Sequence, residues 1–426
     1  MGQKIQTEKI MVGVLFALAI VLGLTAKPFA PQPVATESHG GAPTPREKVT
    51  ALVPEQGTGV KVMKASDWEE QYPNEYKTYV MNDENSEIHD YIAENPYIKT
   101  LYEGYGFAIS YGSARGHTYV FEDVTSTGRP HKLANCFTCK TSEFTAKVLN
   151  DGDSAYAMAF EDMEAQTTDT FGCFHCHANE PGVLYVTHPY VVNALGDDLA
   201  KVDAANLVCA QCHTEYYFDP ATKATTVSYH GLSQFSPEDS LAYENSLVDG
   251  EGNMFADWVD ADTGVRKLKV QHPEFETYLG AGSVHASTFT CADCHMPQIK
   301  AEDGTVFTNH YWVSPLENPD LVKNNCSQCH SDLAGFVKNI QDATRARENE
   351  LGNALEQLDK DLAQAIADGK IEGETLEKAR LASRNAQWFW DYVFVENSEG
   401  AHNSRLTNDC LDKAQAYLDE ANSYLK

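Results

Sequence analysis

The sequence predicts a mainly α-helical fold with few short strands and long C-terminal helices. Long runs that alternate apolar and polar residues, which are typical of half-buried strands, are absent from the 426 residues. Near the C-terminus, apolar residues recur at steps of three and four, as on one helix face. Between residues 61 and 333, five Cys-x-x-Cys pairs lie among loops, which predicts a core organised around bound groups.

The N-terminus carries Lys4 and Lys9, followed by an apolar run at residues 10–24. This run has the length of a signal-peptide core and is short for a membrane span of about 20 residues. We expect residues 1–30 to be a signal peptide or an uncleaved N-terminal anchor. Residues 31–60, rich in Pro, Gly and Thr, are expected to form a flexible linker.

Residues 61–333 contain five motifs of one kind. The attaching thiols are Cys136 and Cys139, Cys173 and Cys176, Cys209 and Cys212, Cys291 and Cys294, and Cys326 and Cys329. The residues that follow each pair are Lys140, His177, His213, His295 and His330. In Cys-x-x-Cys-His, two thiols hold a haem and the adjacent imidazole binds its iron.

Two other uses of paired cysteines fit poorly. Closed zinc sites need four ligands, and five pairs do not group into fours. Disulfides do not explain why a histidine or lysine follows each pair. We therefore predict five covalently bound haem c groups, and a mainly α multihaem cytochrome in which the haems form much of the core.

Residues 334–426 carry no such motif and are expected to be helices of the same domain and an interface for a homodimer. The helix face is formed by Leu351, Leu355, Leu358, Leu362 and Ile366. Gly369 is expected to end this helix, and two more helices are expected near 374–392 and 407–424. Cys410, the unpaired cysteine, falls on an apolar stripe and is interpreted as a buried side chain.

The net charge of −30, from 32 basic and 62 acidic residues, excludes nucleic acid as a partner. Covalent haem attachment takes place outside the cytoplasm, so we expect a periplasmic or other exported protein. It is either free or held to the membrane through its N-terminus or a partner. An acidic protein that acts on an anion needs a locally positive site.

The ligand count separates the first motif from the other four. Fifteen histidines include four in motifs, so eleven remain to supply second ligands to four haems. The haem beside Lys140 can then keep an open face for a substrate. A lysine amine must lose its proton to bind iron, and a change of axial ligand changes haem reactivity. The alternative is that another group binds this iron.

The order of one Cys-x-x-Cys-Lys and four Cys-x-x-Cys-His motifs resembles the pentahaem cytochrome c nitrite reductases, which form ammonium. The similarity extends from about Trp68 to the C-terminus. The stretches that carry it are ARGHTY from Ala114, CHTEYYF from Cys212, KVQHPEFE from Lys269, CHMP from Cys294, QWFWD from Gln387 and SEGAHN, which ends at Asn403.

The resemblance implies roles for further residues. Arg115, Tyr216 and His272 would surround the open face of the Lys140 haem. Second ligands would be His117 for the haem of Cys209 and Cys212, His310 for that of Cys173 and Cys176, His285 for that of Cys326 and Cys329, and His402 for that of Cys291 and Cys294. One Ca²⁺ would be held by the side chains of Glu215 and Gln271 and the carbonyls of Tyr216 and Lys269.

The function expected from this resemblance is the six-electron reduction of nitrite to ammonium, with lesser activity on hydroxylamine or sulfite. A membrane-bound quinol-oxidising multihaem cytochrome would supply the electrons. The alternatives are a pentahaem electron carrier without a substrate site, and a hydroxylamine- or tetrathionate-processing multihaem enzyme. Six histidines are interpreted as surface or structural residues: His39, His89, His131, His175, His188 and His230.

Overall fold

Helices joined by loops make up most of the computed structural model, which describes residues 48–426. The α-helices are α1 (Pro73–Val80), α2 (Tyr91–Glu94), α3 (Ile98–Leu101), α4 (Val120–Ser126), α5 (Ser142–Asp151), α6 (Phe160–Glu164), α7 (Phe174–His177), α8 (Pro189–Leu195), α9 (Ala204–Ala210), α10 (Pro237–Ser246), α11 (Glu274–Leu279), α12 (Cys291–His295), α13 (Pro319–Asn324), α14 (Leu333–Ala367), α15 (Gly373–Phe394) and α16 (Ser404–Ser423). Short 3₁₀ turns lie between them.

Strands are few and short, as expected. They are β1 (Tyr216–Phe218), β2 (Thr225–Val227), β3 (Trp258–Val259), β4 (Arg266–Lys267), β5 (Gln298–Lys300) and β6 (Val306–Thr308). They pair as three antiparallel two-stranded sheets, β1 with β2, β3 with β4 and β5 with β6. Two-stranded sheets are marginally stable alone, so these depend on the helices around them.

The three long helices α14, α15 and α16 confirm the prediction of long C-terminal helices. Leu351, Leu355, Leu358 and Leu362 on α14 are all at most 3% exposed. The helix ends in a Schellman motif, in which the N–H of Lys370 donates to the carbonyl of Ala365 and that of Gly369 to Ile366. Gly369 has a φ of +65°, the left-handed conformation that this cap requires and that glycine adopts without strain.

A core rich in aromatic residues lies where these helices meet the segment around α3. Trp388 and Trp390 of α15 are fully buried, and Trp390 packs edge-on against Tyr97 at 5.7 Å. A Cβ on Gly352 of α14 would lie 2.7 Å from the Tyr97 ring, so the close approach requires glycine. Cys410 on α16 is 1% exposed in the same cluster, which agrees with a buried apolar side chain.

The linker expected over residues 31–60 needs correction for residues 48–60. Leu52 forms a parallel bridge with Tyr185, and the N–H of Val186 donates to its carbonyl at 2.8 Å. The N–H of Val49 donates to Asp203, and Ala51 is 7% exposed. These hydrogen bonds attach the segment to the rest of the chain near Val49 and Leu52, although most of its residues are exposed, as its composition had suggested.

The expected signal peptide or anchor lies in residues 1–47, outside the described residues. Within residues 48–426, no helix is both long and apolar enough to cross a membrane.

Candidate active site

The Cys-x-x-Cys motifs lie on short helical turns. Helix α12 carries Cys291–His295, and helix α9 contains Cys209. A capping box starts α12, since the Thr290 side chain accepts from the N–H of Asp293 and the Asp293 carboxylate accepts from that of Thr290. On such a turn the residues at i, i+3 and i+4 face one side, so two thiols and the next side chain can meet one porphyrin.

Each motif histidine has a second histidine opposite it. The ring centroids are 5.9 Å apart for His213 and His117, 6.3 Å for His177 and His310, 6.1 Å for His330 and His285, and 6.1 Å for His295 and His402. Two metal–imidazole bonds of about 2 Å, plus the distance from each nitrogen to its ring centre, require about 6 Å. These are the four pairs implied by the resemblance, and their role as iron ligands remains a prediction.

Hydrogen bonds at Nδ1 orient several of these rings. His177 Nδ1 bonds the Val183 carbonyl at 2.7 Å, and His310 Nδ1 bonds the Thr308 carbonyl at 2.9 Å. His295 Nδ1 bonds the Val313 carbonyl at 3.1 Å. Such bonds hold the proton on Nδ1 and leave Nε2 free for a metal. Burial lowers the pKa of His295 and of His310 to about 4, which favours the neutral form that binds metal.

His402 is oriented by a carboxylate. Its Nδ1 lies 2.6 Å from Glu396, which is 3% exposed. Burial alone would lower the pKa of His402, but the charge of Glu396 and this hydrogen bond raise it overall. A carboxylate partner at Nδ1 makes the imidazole a stronger electron donor to a metal than a carbonyl partner does.

The chain approaches His117 through a glycine that the packing requires. A Cβ on Gly116 would lie 2.0 Å from the carbonyl oxygen of Asn82. The N–H of Gly116 donates to the carbonyl of Asn85 at 2.8 Å, and this contact fixes the entry to the 3₁₀ turn His117–Tyr119. Packing therefore requires glycine at this position of the ARGHTY stretch, next to the predicted iron ligand His117.

The first motif opens onto a cavity. Its lining residues are Phe107, Val124, Thr127, Arg129, Lys132, Asn135, Cys136, Thr138, Cys139, Lys140, Tyr216 and Phe218. Lys140 follows the 3₁₀ turn Ala134–Phe137, and Tyr216 begins β1. Two of the four predicted catalytic residues, Lys140 and Tyr216, thus share one cavity with the attaching thiols of Cys136 and Cys139. Burial raises the pKa of Tyr216 well above its usual value, so the phenol keeps its proton.

His272 lies beside Tyr216, with ring centroids 6.4 Å apart and nearly parallel planes, and 6.1 Å from the ring of His213. Its Nδ1 is buried and has no hydrogen-bond partner within the described residues. Burial lowers its pKa to about 4. This neutral imidazole can accept or donate a proton once a partner is present.

Arg115 lies apart from the cavity lining. Its guanidinium donates to Asp123, lies 3.3 Å from Glu122, and stacks over the Tyr119 ring at 4.0 Å. The structure therefore brings Lys140, Tyr216 and His272 together and holds Arg115 on acidic partners.

Two basic residues of the lining, Arg129 and Lys132, were not predicted as site residues from the sequence. Both lie in the segment that precedes the first motif, and the basic character of this segment is the signal from which they could have been predicted. Within residues 48–426, no acidic residue lines the cavity. In a chain with 62 acidic and 32 basic residues, a cavity lined by Arg129 and Lys132 and by no described carboxylate is a locally positive site.

The predicted calcium ligands lie close together. The N–H of Gln271 donates to the Glu215 carboxylate at 2.6 Å, and its side-chain amide lies 3.1 Å from the carbonyl of Lys269. Glu215 is 1% exposed, and burial together with the nearby Glu244 raises its pKa well above its usual value. A buried carboxylate beside carbonyl and amide oxygens suits Ca²⁺, since the cation would balance the charge.

Thiols of different motifs are neighbours. The sulfur atoms of Cys139 and Cys212 lie within 4.8 Å of each other, and the neighbouring Cys291 thiol lowers the pKa of Cys209. His188 lies with Cys139 and Cys212 in a group whose ligand atoms are within 4.8 Å. Its Nε2 already bonds the Thr138 carbonyl at 2.8 Å, and both thiols belong to attachment pairs, so a separate metal site is not needed. All eleven cysteines are free of disulfides.

The unassigned histidines divide into two groups. His175 and His188 are buried, at 0% and 3% exposure, whereas His89, His131 and His230 are exposed. His39 lies outside the described residues.

Comparison with known proteins gives consistent matches. The sequence profile of the cytochrome c552 family matches residues 64–426. The chain is 30% identical over 409 residues to cytochrome c nitrite reductase subunit NrfA of Nitratidesulfovibrio vulgaris, covering 84% of this chain and 78% of the relative. It is also similar to the catalytic subunit of cytochrome c nitrite reductase from Desulfovibrio desulfuricans, which has two calcium sites. That similarity has a TM-score of 0.75, 28% identity, and coverage of 85% of this chain and 86% of the other.

Proposed function

The chain belongs to the cytochrome c552 family and is an oxidoreductase of the cytochrome c nitrite reductase type, and from this premise we propose that it reduces nitrite to ammonium beside Lys140. One observation carries the proposal. Each of the four motif histidines faces a second histidine about 6 Å away, whereas the first motif has Lys140 at a cavity. Four sites are suited to electron transfer and one to a substrate.

Five haem c groups are proposed at the five motifs, and the residues fit them. The free thiols, the ring spacings and the Nδ1 hydrogen bonds are those that bis-histidine ligation requires. When bound, the haems would supply electrons and, beside Lys140, an open coordination position. Lys140 would be the amine ligand on the protein side of that haem.

The side chains of the cavity would hold the substrate and move protons. Conversion of nitrite to ammonium consumes six electrons and eight protons, so proton delivery is as important as electron delivery. His272, neutral and with an unpartnered Nδ1, would pass protons into the cavity. Tyr216, with its raised pKa, would donate a hydrogen bond that positions the substrate.

Arg115 would bind an anionic oxygen through its guanidinium, in the role that the resemblance implies. Its present partners Asp123 and Glu122 would then compete with the substrate. The cationic lining of the cavity explains how an acidic protein attracts nitrite, since the field near the site is set by the nearest charges.

A Ca²⁺ ion is proposed at Glu215, Gln271 and the carbonyls of Tyr216 and Lys269. Tyr216 is itself one of these ligands, and His272 directly follows Gln271 in the sequence. A cation held there would fix the backbone on both sides of the substrate cavity and add positive charge near it.

The contacts between motif thiols support a route for electrons. Cys291 lies against Cys209, and Cys212 lies against Cys139, so the haems of α12 and α9 would be in series with the Lys140 haem. We propose a membrane-bound quinol-oxidising multihaem cytochrome as the donor, a periplasmic or other exported location, and a homodimer formed through the C-terminal helices.

An ammonium assay tests the proposal. Purified haem-loaded protein is given nitrite and reduced viologen, and the product is compared for wild type, Arg115→Ala and Lys378→Ala. Lys378 forms an exposed pair with Glu374 on α15, so its variant controls for loss of one positive charge. We expect stoichiometric ammonium from wild type and the control, and much less from Arg115→Ala.

The same assay separates the alternatives. Absence of nitrite-dependent viologen oxidation would favour the electron carrier. Oxidation without ammonium, or faster turnover of hydroxylamine or tetrathionate than of nitrite, would favour the other enzyme class.

A further inference from the structure

We infer that Arg129 is a second anion-binding residue of the Lys140 cavity, where its guanidinium holds an oxygen of the nitrite substrate. The inference rests on the proposed function and adds a residue to it. Arg129 lines the cavity with Lys140 and Tyr216. It lies fourteen residues beyond Arg115 in the chain and outside all the stretches that carry the family resemblance.

The position of Arg129 is fixed by its surroundings. Its guanidinium lies over the Phe107 ring at 4.5 Å, and its Nη2 donates to the Ser110 carbonyl at 3.1 Å. The next residue, Pro130, packs so closely on Gly106 that an added Cβ there would be 3.1 Å from its ring. A guanidinium held by stacking and one hydrogen bond has lost much of its rotamer freedom before a ligand arrives.

Arg129 also has binding capacity left. Its Nε is buried and has no hydrogen-bond partner within residues 48–426. No carboxylate within residues 48–426 forms an ion pair with Arg129, whereas the Arg115 guanidinium lies close to both Asp123 and Glu122. A buried N–H without a partner is costly, and an oxyanion that accepts from it removes that cost.

The other cations of the cavity are less suited to this role. Lys132 places its ammonium over the Phe160 ring at 4.1 Å and 3.4 Å from the Thr127 carbonyl. Lys140 is the predicted iron ligand and would be uncharged when bound. Of the basic lining residues, Arg129 is therefore the one that combines a permanent charge with a buried donor that has no partner among residues 48–426.

A carboxylate of the haem itself has the same chemistry as a small oxyanion, so the test must separate the two. The variants are Arg129→Gln, which removes the charge, Arg129→Lys, which keeps it, and the charge-matched surface control Lys378→Gln. Haem content is measured for each. The readouts are the Kd of nitrite from optical titration of the oxidised protein, the KM for nitrite and for uncharged hydroxylamine, and the haem reduction potentials.

We expect Arg129→Gln to raise the Kd and KM of nitrite about tenfold or more, as for loss of one charge-assisted hydrogen bond. The KM for hydroxylamine should stay within about twofold, since a neutral substrate gains little from the cation. Arg129→Lys should recover most of the nitrite affinity, and Lys378→Gln should match wild type.

Three results would overturn the inference. They are an unchanged nitrite Kd in Arg129→Gln, an equal loss for nitrite and hydroxylamine, or a shifted haem potential with unchanged nitrite binding, which would assign Arg129 to the haem carboxylate. If Arg129→Gln does not load haem, Arg129→Lys decides, because a tenfold loss there with normal haem content would also reject a role based on charge. Failure of wild type to form ammonium would instead reject the proposed function itself.

Discussion

A buried ion pair links two of the stretches that carry the family resemblance, and breaking it should be strongly destabilising. Lys269 of KVQHPEFE donates to both carboxylate oxygens of Asp391 of QWFWD, each at 2.9 Å, and the two side chains are 2% and 0% exposed. Asp391 also accepts from the N–H of Val270 at 2.9 Å and from the Tyr102 hydroxyl. Burial lowers the pKa of Lys269, but the charge of Asp391 more than offsets this, so the amine stays protonated.

The size of the effect follows from this burial. Asp391→Asn leaves the Lys269 ammonium without a counter-charge, and Lys269→Met leaves the carboxylate with only neutral donors. Each single change should lower the free energy of unfolding by about 3–5 kcal/mol, as for removal of one partner from a buried pair. The double variant should cost less than the sum by about 2 kcal/mol or more, because no uncompensated charge remains.

Urea unfolding followed by far-ultraviolet circular dichroism measures these free energies. The control is Lys338→Met, which removes an exposed pair with Asp342 whose side chains are 71% and 60% exposed, and it should change stability by at most about 1 kcal/mol. A cost below about 1 kcal/mol in either single variant, or two costs that add without coupling, would contradict a stabilising role for this ion pair.

Three further outcomes are expected. Glu396→Gln removes the carboxylate that makes His402 a stronger electron donor to iron. In a redox titration it should therefore raise the reduction potential of one haem and leave the others unchanged. Equal shifts at all haems would contradict this. Burial raises the pKa of Glu348 from 4.5 to about 8, so between these values the unfolded chain releases this proton while the folded chain keeps it. Stability should therefore fall as pH rises from about 5 to 8, and Glu348→Gln should flatten that slope in urea unfolding. Added Ca²⁺ should raise the Tm of the wild type but not of Glu215→Gln, and an equal rise in both would argue against the site.

The helices were predictable because their signals are local. Four leucines at steps of three and four defined the buried face of α14, and Gly369 ended it with the cap that its positive φ permits. The thiol pairs were equally local, since one short turn contains both cysteines and the next residue. Docking of residues 48–60 was not predictable, because it depends on backbone hydrogen bonds to a segment more than a hundred residues away.

The candidate site has two features that the sequence motifs do not predict, the partners of Arg115 and the charge of the cavity. The ARGHTY stretch predicts Arg115 as a site residue. Its partners Asp123 and Glu122 lie on the next short helix, α4, and the stretch itself does not predict their ion pairs with the guanidinium. The charge of the cavity depends on segments distant in sequence, from Phe107 to Phe218, and no carboxylate of residues 48–426 lines it, although the chain is strongly acidic. This distribution of charge around the cavity arises only when the chain folds. We therefore expect anion binding to depend on which cations near Lys140 have no acidic partner within residues 48–426, and Arg129 is the clearest of these.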